Sequence, residues 1–458
     1  MNPTPPLEDI PVSARGSAEK KDESPAVGVV QAATQESQAP ASMAEPAAVE
    51  LKPEVITRPR MLEALEHRDF RYLWSGNFLS NVGTWMQNIA QGWLVLQLTN
   101  SAFWLGIVSF ASAGPLLVFT LLGGVIADHV DKRRLLIATQ LVMMTSAFLL
   151  AGLAYFDRVT VTQIIALAFI TGTASALAAP SQQALLPQLV PRRILSNAVG
   201  LNSAQFNMSR VLGPTVGGFA MAWFGASGNF FLNGLSFVAV ILALRRMHYP
   251  AQSAIPEASL WSRLVEGFRY VFGDAKTRVL VWLVTVGGLL GVPYLSFVPY
   301  FARDILHRDA RGLGLLMAAS GLGAFFAAVT IAYVGKPRYR GKLVFGTGVL
   351  FFAAIIGFAL SGNFLLSVAM QFVAGYCLII MVAIINTRMQ LLAPDELRGR
   401  TMSIYATAYL GLPPIGSLMA GWLSRWVPAP LAIGGMAAAG LVLFALIFAR
   451  RRDLWALD

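Results

Sequence analysis

The chain has 458 residues, 56% of them hydrophobic and only 13% charged, with a formal net charge of +11. Such a chain is too apolar for an ordinary soluble domain, and the alternation of an outer-membrane barrel is absent. Repeated runs of ~20 apolar residues describe an all-α membrane protein instead.

One cysteine, Cys377, excludes an internal disulfide and a thiolate metal cluster. The histidines His67, His129, His248 and His307 are scattered near expected loops, so no metal site and no cofactor is expected. The basic residues fall between apolar runs, which reads as loop bias in a membrane protein and not as nucleic-acid binding.

Residues 1–58 are rich in Pro, Ala, Glu, Ser and Gln without periodicity, and are expected to form a disordered cytoplasmic tail. No cleavable signal peptide is read in them. A short amphipathic lead-in at the membrane surface follows around residues 62–73.

Twelve transmembrane helices are expected next. The first six span residues 72–98, 103–126, 135–156, 160–183, 197–222 and 228–247. The second six span 277–301, 312–334, 343–361, 363–391, 401–425 and 428–449. The expected units are therefore an N-terminal six-helix half (59–247), a cytoplasmic linker (248–276), a C-terminal six-helix half (277–449) and a cytoplasmic tail (450–458).

In the linker, Leu260, Trp261, Leu264, Val265, Phe268, Val271 and Phe272 mark one face of an amphipathic helix along the interface, with Arg263, Glu266 and Arg269 opposite. Lys and Arg crowd alternate loops and the tail, whereas the opposite loops hold Arg158, Arg303, Arg308, Arg311 and Arg425. That asymmetry places both termini in the cytoplasm. LLPQLVPRR near 185–193 is echoed by LLAPDELRGR at 391–400, and Pro191 and Pro394 are separated by the same interval as Gly218 and Gly421. Two pseudo-symmetric halves with a substrate path between them are a standard transporter plan.

The fifth span is the most unusual. Arg210 lies about 20 Å along it, near mid-membrane, where an ionisable side chain is costly and faces protein or water. Ser203, Asn207, Arg210, Pro214 and Gly217 share a helix face. The first span carries its own polar stripe: Asn77, Ser80, Asn81, Thr84, Gln87, Asn88 and Gln91. Such a stripe either lines a cavity or makes interhelical hydrogen bonds. Trp85, Trp93 and Phe206 supply apolar surface nearby. The substrate-cavity candidates are Asn81, Thr84, Gln87, Asn88, Gln91, Asn207, Arg210 and Arg388. Arg388 also lies near enough to a helix end to snorkel, and Asn386 and Gln390 beside it can simply pack.

Two motifs carry a family resemblance. GGVIADHVDKRR, from Gly123 to Arg134, resembles the loop signature of the major facilitator superfamily: Gly124 matches its glycine, Asp128 its acid, and Lys132, Arg133 and Arg134 its basic cluster. Asp131 stands where the family often has glycine, and the equivalent loop GKPRYRGK of the second half has no acid. The resemblance implies that Asp128 latches one conformational state. GPTVGG, with Gly213, Pro214, Gly217 and Gly218, resembles the superfamily's antiporter motif in helix five, with Ser209 replacing an upstream glycine. Proline bends the helix and the glycines permit close packing. With TNSAFWLGIVSF after the first span, the wording most resembles the exporter branch that includes the enterobactin exporter.

The resemblance, over about residues 69–450, implies secondary export of a small organic solute across a bacterial inner membrane by alternating access. The solute is siderophore-like or amphiphilic, and proton antiport is the expected coupling. No Asp or Glu lies mid-span; Asp128, Asp157 and Asp304 all fall at ends, which disfavours a cationic-drug exporter with an embedded carboxylate. Arg210 has three roles open to it: binding an anionic or catecholate substrate, switching hydrogen-bond partners, or a fixed contact. Multidrug efflux and uptake or facilitated diffusion are the alternatives; a non-transporting receptor is a further one. There is no GxxxxGK[ST] loop, so ATP is not expected to drive transport, and no catalytic constellation suggests an enzyme. The lipid bilayer, the solute and protons are the expected partners of a monomer.

Overall fold

The computed structural model describes residues 62–119, 130–247, 268–335, 339–394, 397–451 and 455. The N-terminal tail, Gly124 and Asp128 of the loop signature, and Leu260, Trp261, Leu264 and Val265 of the linker lie outside the described residues. Among the described residues every regular element is helical, and nine stretches are long and apolar enough to cross a membrane.

The helices are α1 (Arg68–Thr99), α2 (Ala102–Ala113, continuing to 119 after a turn at Gly114), α3 (Lys132–Tyr155), α4 (Val161–Leu185) and α5 (Leu195–Arg246). After the linker come α6 (Ala275–Val286), α7 (Tyr294–Tyr300), α8 (Ala310–Val334), α9 (Arg340–Leu360) and α10 (Phe364–Leu392). The last three are α11 (Arg398–Ala406), α12 (Leu412–Leu423) and α13 (Ala429–Arg450). Length and apolar composition make these segments helical, because a backbone in lipid must satisfy its own hydrogen bonds.

Their ends are marked by polar caps. Asp131 Oδ1 accepts from Arg134 N at 2.7 Å, and Thr160 and Gln163 form a reciprocal capping box. Asp274, Asp309 and Asn363 cap α6, α8 and α10 in the same way. Asn100, left-handed at φ 49°, ends α1.

α5 is one continuous run in name only. Gly225 (φ 68°, ψ −174°) breaks it into two arms, a conformation that needs the missing Cβ. Within the span expected over 277–301, the structure shows α6, a π turn at Gly287–Gly291 and α7, and a second π turn follows at Phe301–Ile305. Pro293 and Pro299 remove backbone donors there, and the ladder widens around them. A third π turn, Thr407–Gly411, joins α11 to α12 ahead of Pro413 and Pro414. Residues 268–273 are helical, with Val271 buried while Phe268 and Phe272 stack 5.9 Å apart on an exposed face.

Residues 68–247 meet residues 275–450 along seams made of glycine. A Cβ on Gly218 of α5 would sit 2.9 Å from Gly314 Cα of α8, and one on Gly421 of α12 would sit 3.0 Å from Gly106 Cα of α2. These contacts gather at the end where α1 finishes. There Arg303 Nη1 donates to the Leu96 carbonyl at 2.6 Å while its Nε and Nη2 hold Asp304. Nearby, the hydroxyls of Ser109, Ser296 and Ser417 form a chain at 2.9 and 3.2 Å across the same seam.

Candidate functional site

The polar stripe of α1 opens onto a chamber of about 300 Å³. Asn77, Ser80, Asn81, Thr84, Gln87, Asn88 and Gln91 all line it. The opposite walls come from α2, α3, α4 and the second arm of α5, through Ser112, Gln140, Thr171, Gln182 and Asn233. All of the chamber thus lies within residues 68–247, and no charged side chain is among its described lining residues.

A second chamber of about 220 Å³ lies between α1, α2, α7 and α8. Its walls are largely apolar: Trp85, Ile89, Leu105, Val108, Leu295 and Met317, with Ser109 and Ser296 at the seam. Asn88, Gln91, Ser112 and Ala113 line both chambers, so the two adjoin along α1 and α2.

Within the polar chamber the α1 side chains divide. Gln87 Oε1 accepts a 2.8 Å hydrogen bond from Asn233 Nδ2, and Asn233 Oδ1 accepts from Ser236 Oγ at 3.0 Å. Thr84 returns its hydroxyl to the Ser80 carbonyl of its own helix. Gln91 makes a long 3.5 Å contact with Ser112, and Asn88 is exposed although it lies mid-helix. The stripe therefore does both things at once: Gln87 braces helices, and Asn88 and Gln91 face open space. Gly83 makes the bracing possible, since a Cβ there would run into Asn233 Oδ1 and Ser236 Oγ.

The sequence reading missed Asn233, Gln140 and Gln182. Their signal was present, as amides inside otherwise apolar spans, and Asn233 and Gln140 are 1% and 8% exposed.

Arg210 lines neither chamber. Its guanidinium carbon sits 6.0 Å from the centre of the Trp85 ring, a cation–π contact. Among the described residues the guanidinium makes no hydrogen bond or ion pair. Asn207 is not in the chamber either; its amide donates to the Ser203 carbonyl one turn earlier. Arg388 is half-buried on α10 and lines neither chamber, while Gln390 donates to Asn386 beside it.

The glycine motif acts as packing surface. Gly213 and Gly217 lie against Val82, Trp85 and Met86 of α1, and Gly218 and the Pro214 carbonyl lie against Gly314 of α8. Of the basic cluster, Arg133 Nη2 donates to the Arg245 carbonyl, fastening the start of α3 to the end of α5, and Lys132 and Arg134 stand beside it in the same first turn.

Long apolar helices around a polar internal chamber, with the chain's two parts meeting on glycine seams, define a multi-pass membrane transporter. A family model described as "Transmembrane secretion effector" matches residues 61–455, and the chain belongs to this family of the major facilitator superfamily. It is 26% identical over 292 residues to the staphyloferrin A transporter of Staphylococcus aureus, covering 63% of this chain and 72% of that one. It is 26% identical to the multidrug efflux pump Tap of Mycolicibacterium fortuitum (75% and 86% covered) and 24% identical to the enterobactin exporter EntS of Citrobacter koseri (83% and 91%). A bacterial homologue of the human lysosomal transporter Spinster, solved inward-facing and unoccupied, matches in fold with a TM-score of 0.62 at 12% identity, over 87% of this chain and 97% of that one. These relatives are transporters and not enzymes.

Proposed function

We propose that the chain is a secondary exporter that carries a small organic solute out of the bacterial cytoplasm. The adjoining chambers on α1 and α2 carry this reading, because they give a solute a polar and an apolar surface beside a seam that glycine allows to close. Twelve spans follow if α5 crosses twice about Gly225, α1 crosses despite its polar stripe, and α6–α7 and α11–α12 each cross once through their π turns. The halves are then 59–247 and 277–449.

The positive-inside bias places both termini in the cytoplasm and the α1–α2 connection outside. On that orientation the Gly218–Gly314 and Gly106–Gly421 seams lie at the outer end. Alternating access would open the Gly218–Gly314 and Gly106–Gly421 seams while the cytoplasmic ends close. Asp128, in the loop signature, is the proposed latch of one state, and proton antiport the proposed coupling.

The relatives' named solutes, two siderophores, favour a siderophore-like compound. The Tap relative favours a second reading, efflux of lipophilic drugs.

Flux into inverted membrane vesicles tests both, with a siderophore and a lipophilic cation as solutes, with and without an imposed proton gradient. Gradient-dependent accumulation of the siderophore is expected. Accumulation of the cation alone would replace the first reading with the second. Flux of both that ignores the gradient would refute proton coupling.

A further inference from the structure

The polar chamber is built almost entirely from groups that carry no charge. Gln87, Gln91, Gln140, Gln182, Asn88 and Asn233 supply its amides, and no Lys, Arg, His, Asp or Glu is among its described lining residues. The nearby cation, Arg210, is held on the ring of Trp85 outside the chamber. A charged group entering such a space would shed water and gain no counter-ion, which costs several kcal/mol. Amides meet a neutral polar group on equal terms, since each has donors and an acceptor.

One of these amides is buried and unspent. Gln87 and Asn233 are committed to one another, but Gln140 is 8% exposed and its Oε1 has no partner. Thr171 Oγ1, on the wall formed by α4, is likewise buried without a partner. Two buried oxygens without partners on facing helices, α3 and α4, are costly in an apolar surround, and rotation of these chamber-lining side chains is what would bring them onto a polar solute. The chamber holds the volume of about ten waters, room for a ring-sized polar group. Its neighbour, walled by Trp85, Ile89, Leu105 and Met317, is apolar and shares Asn88 and Gln91 with it.

We infer that the transported solute is a neutral amphiphile. Its uncharged hydroxyl- or amide-bearing part sits in the α1–α4 chamber on Gln140 and Thr171, and its aromatic or alkyl part lies against Trp85 in the adjoining chamber. The inference rests on the reading of these chambers as the transport site, and it deepens that reading by fixing the charge of the substrate. Arg210 then shapes the seam and does not neutralise an anionic substrate.

The test is binding at equilibrium, so it does not depend on flux. The full chain in lipid nanodiscs is titrated with phenyl β-glucoside, phenyl sulfate and phenyltrimethylammonium, three probes that share a ring and differ in head charge, read by saturation-transfer NMR. Saturable binding is expected for the glucoside alone. Gln140→Leu removes the acceptor and is expected to weaken it about tenfold, the equivalent of one buried hydrogen bond. Gln140→Glu keeps the size and adds a charge, and is expected to move the preference to phenyltrimethylammonium; such a gain cannot come from misfolding.

Tighter binding of phenyl sulfate, lost in Arg210→Ala, would overturn the inference and put the ligand on the arginine. Wild-type preference for the ammonium probe, or no saturable binding of any probe, would overturn it too. Glucoside binding without flux of any solute would instead sink the exporter reading and leave the charge selectivity standing.

Discussion

The two stretches of chain on either side of the linker bury different chemistry. Residues 68–247 bury amides, among them Asn77, Gln87, Gln91, Gln140, Asn229 and Asn233. Residues 275–450 bury rings: Tyr294, Phe297, Phe301, Phe351, Phe352, Phe358, Phe444 and Phe448 are all under 2% exposed or close to it. The rings interlock, with Phe301 and Phe358 4.7 Å apart and Phe444 and Phe448 5.5 Å apart between centroids. In lipid, helices are not driven together by water, so tight van der Waals packing is what fixes the second stretch. The first stretch places amides in its interior and obtains a polar chamber from them. On the proposed reading, the amide-lined side of the seam supplies polar recognition and the ring-packed side supplies shape.

The largest expected effect lies on the side built for shape. Phe352→Ala would empty a site in contact with the Phe351 and Phe444 rings and is expected to destabilise the protein by on the order of 3 kcal/mol. Solute selectivity should stay as it is. Thermal unfolding in detergent measures the first, and competition among test solutes the second; altered selectivity would break the division of roles. Next is the seam itself. Gly218→Leu puts a side chain where a Cβ alone already lies 2.7 Å from the Ala310 carbonyl. Overpacking costs about 1–3 kcal/mol, so the closed seam should lose population and flux should fall about tenfold. A cysteine pair across the seam, assayed for cross-linking, reports the opening. Undiminished cross-linking would show that the glycines are not what closes it.

The helices were legible from run length and hydropathy, and so was the break in α5, because GASG interrupts two apolar runs. The packing value of GPTVGG was legible as well, since glycine at close spacing has few other uses in a membrane helix. Pairing was not. Periodicity says that Asn207, Arg210 and Gly217 share a face, but it does not say what stands opposite. In the structure that face meets α1 and α8, so Arg210 rests on Trp85 and not in the polar chamber. Asn233 was missed for the same reason: a lone amide in an apolar span becomes meaningful only beside Gln87, 146 positions away. The π turns around Pro293 and Pro299 were written in the sequence as GGLLG and two prolines, yet hydropathy alone smooths them into one span.

The smallest expected effect is the one that separates bracing from recognition within the chamber. Asn233→Leu removes the donor to Gln87 at nearly constant volume and leaves Gln87 Oε1 unpaired. Interhelical polar contacts in membranes are worth about 0.6 kcal/mol, rarely above ~1.7, so the loss of stability should fall in that range. Adding Gln87→Leu removes the orphaned acceptor, and the double variant should regain most of the stability. Recognition should not recover with it, because the pair lines the chamber as well as bracing it, and two leucines make that wall apolar. Unfolding temperature and phenyl glucoside binding, followed through the full cycle, therefore should part company. If the double variant regains both, the amides of this pair are scaffolding alone, and the polar character of the chamber rests on Asn88, Gln91 and Gln140.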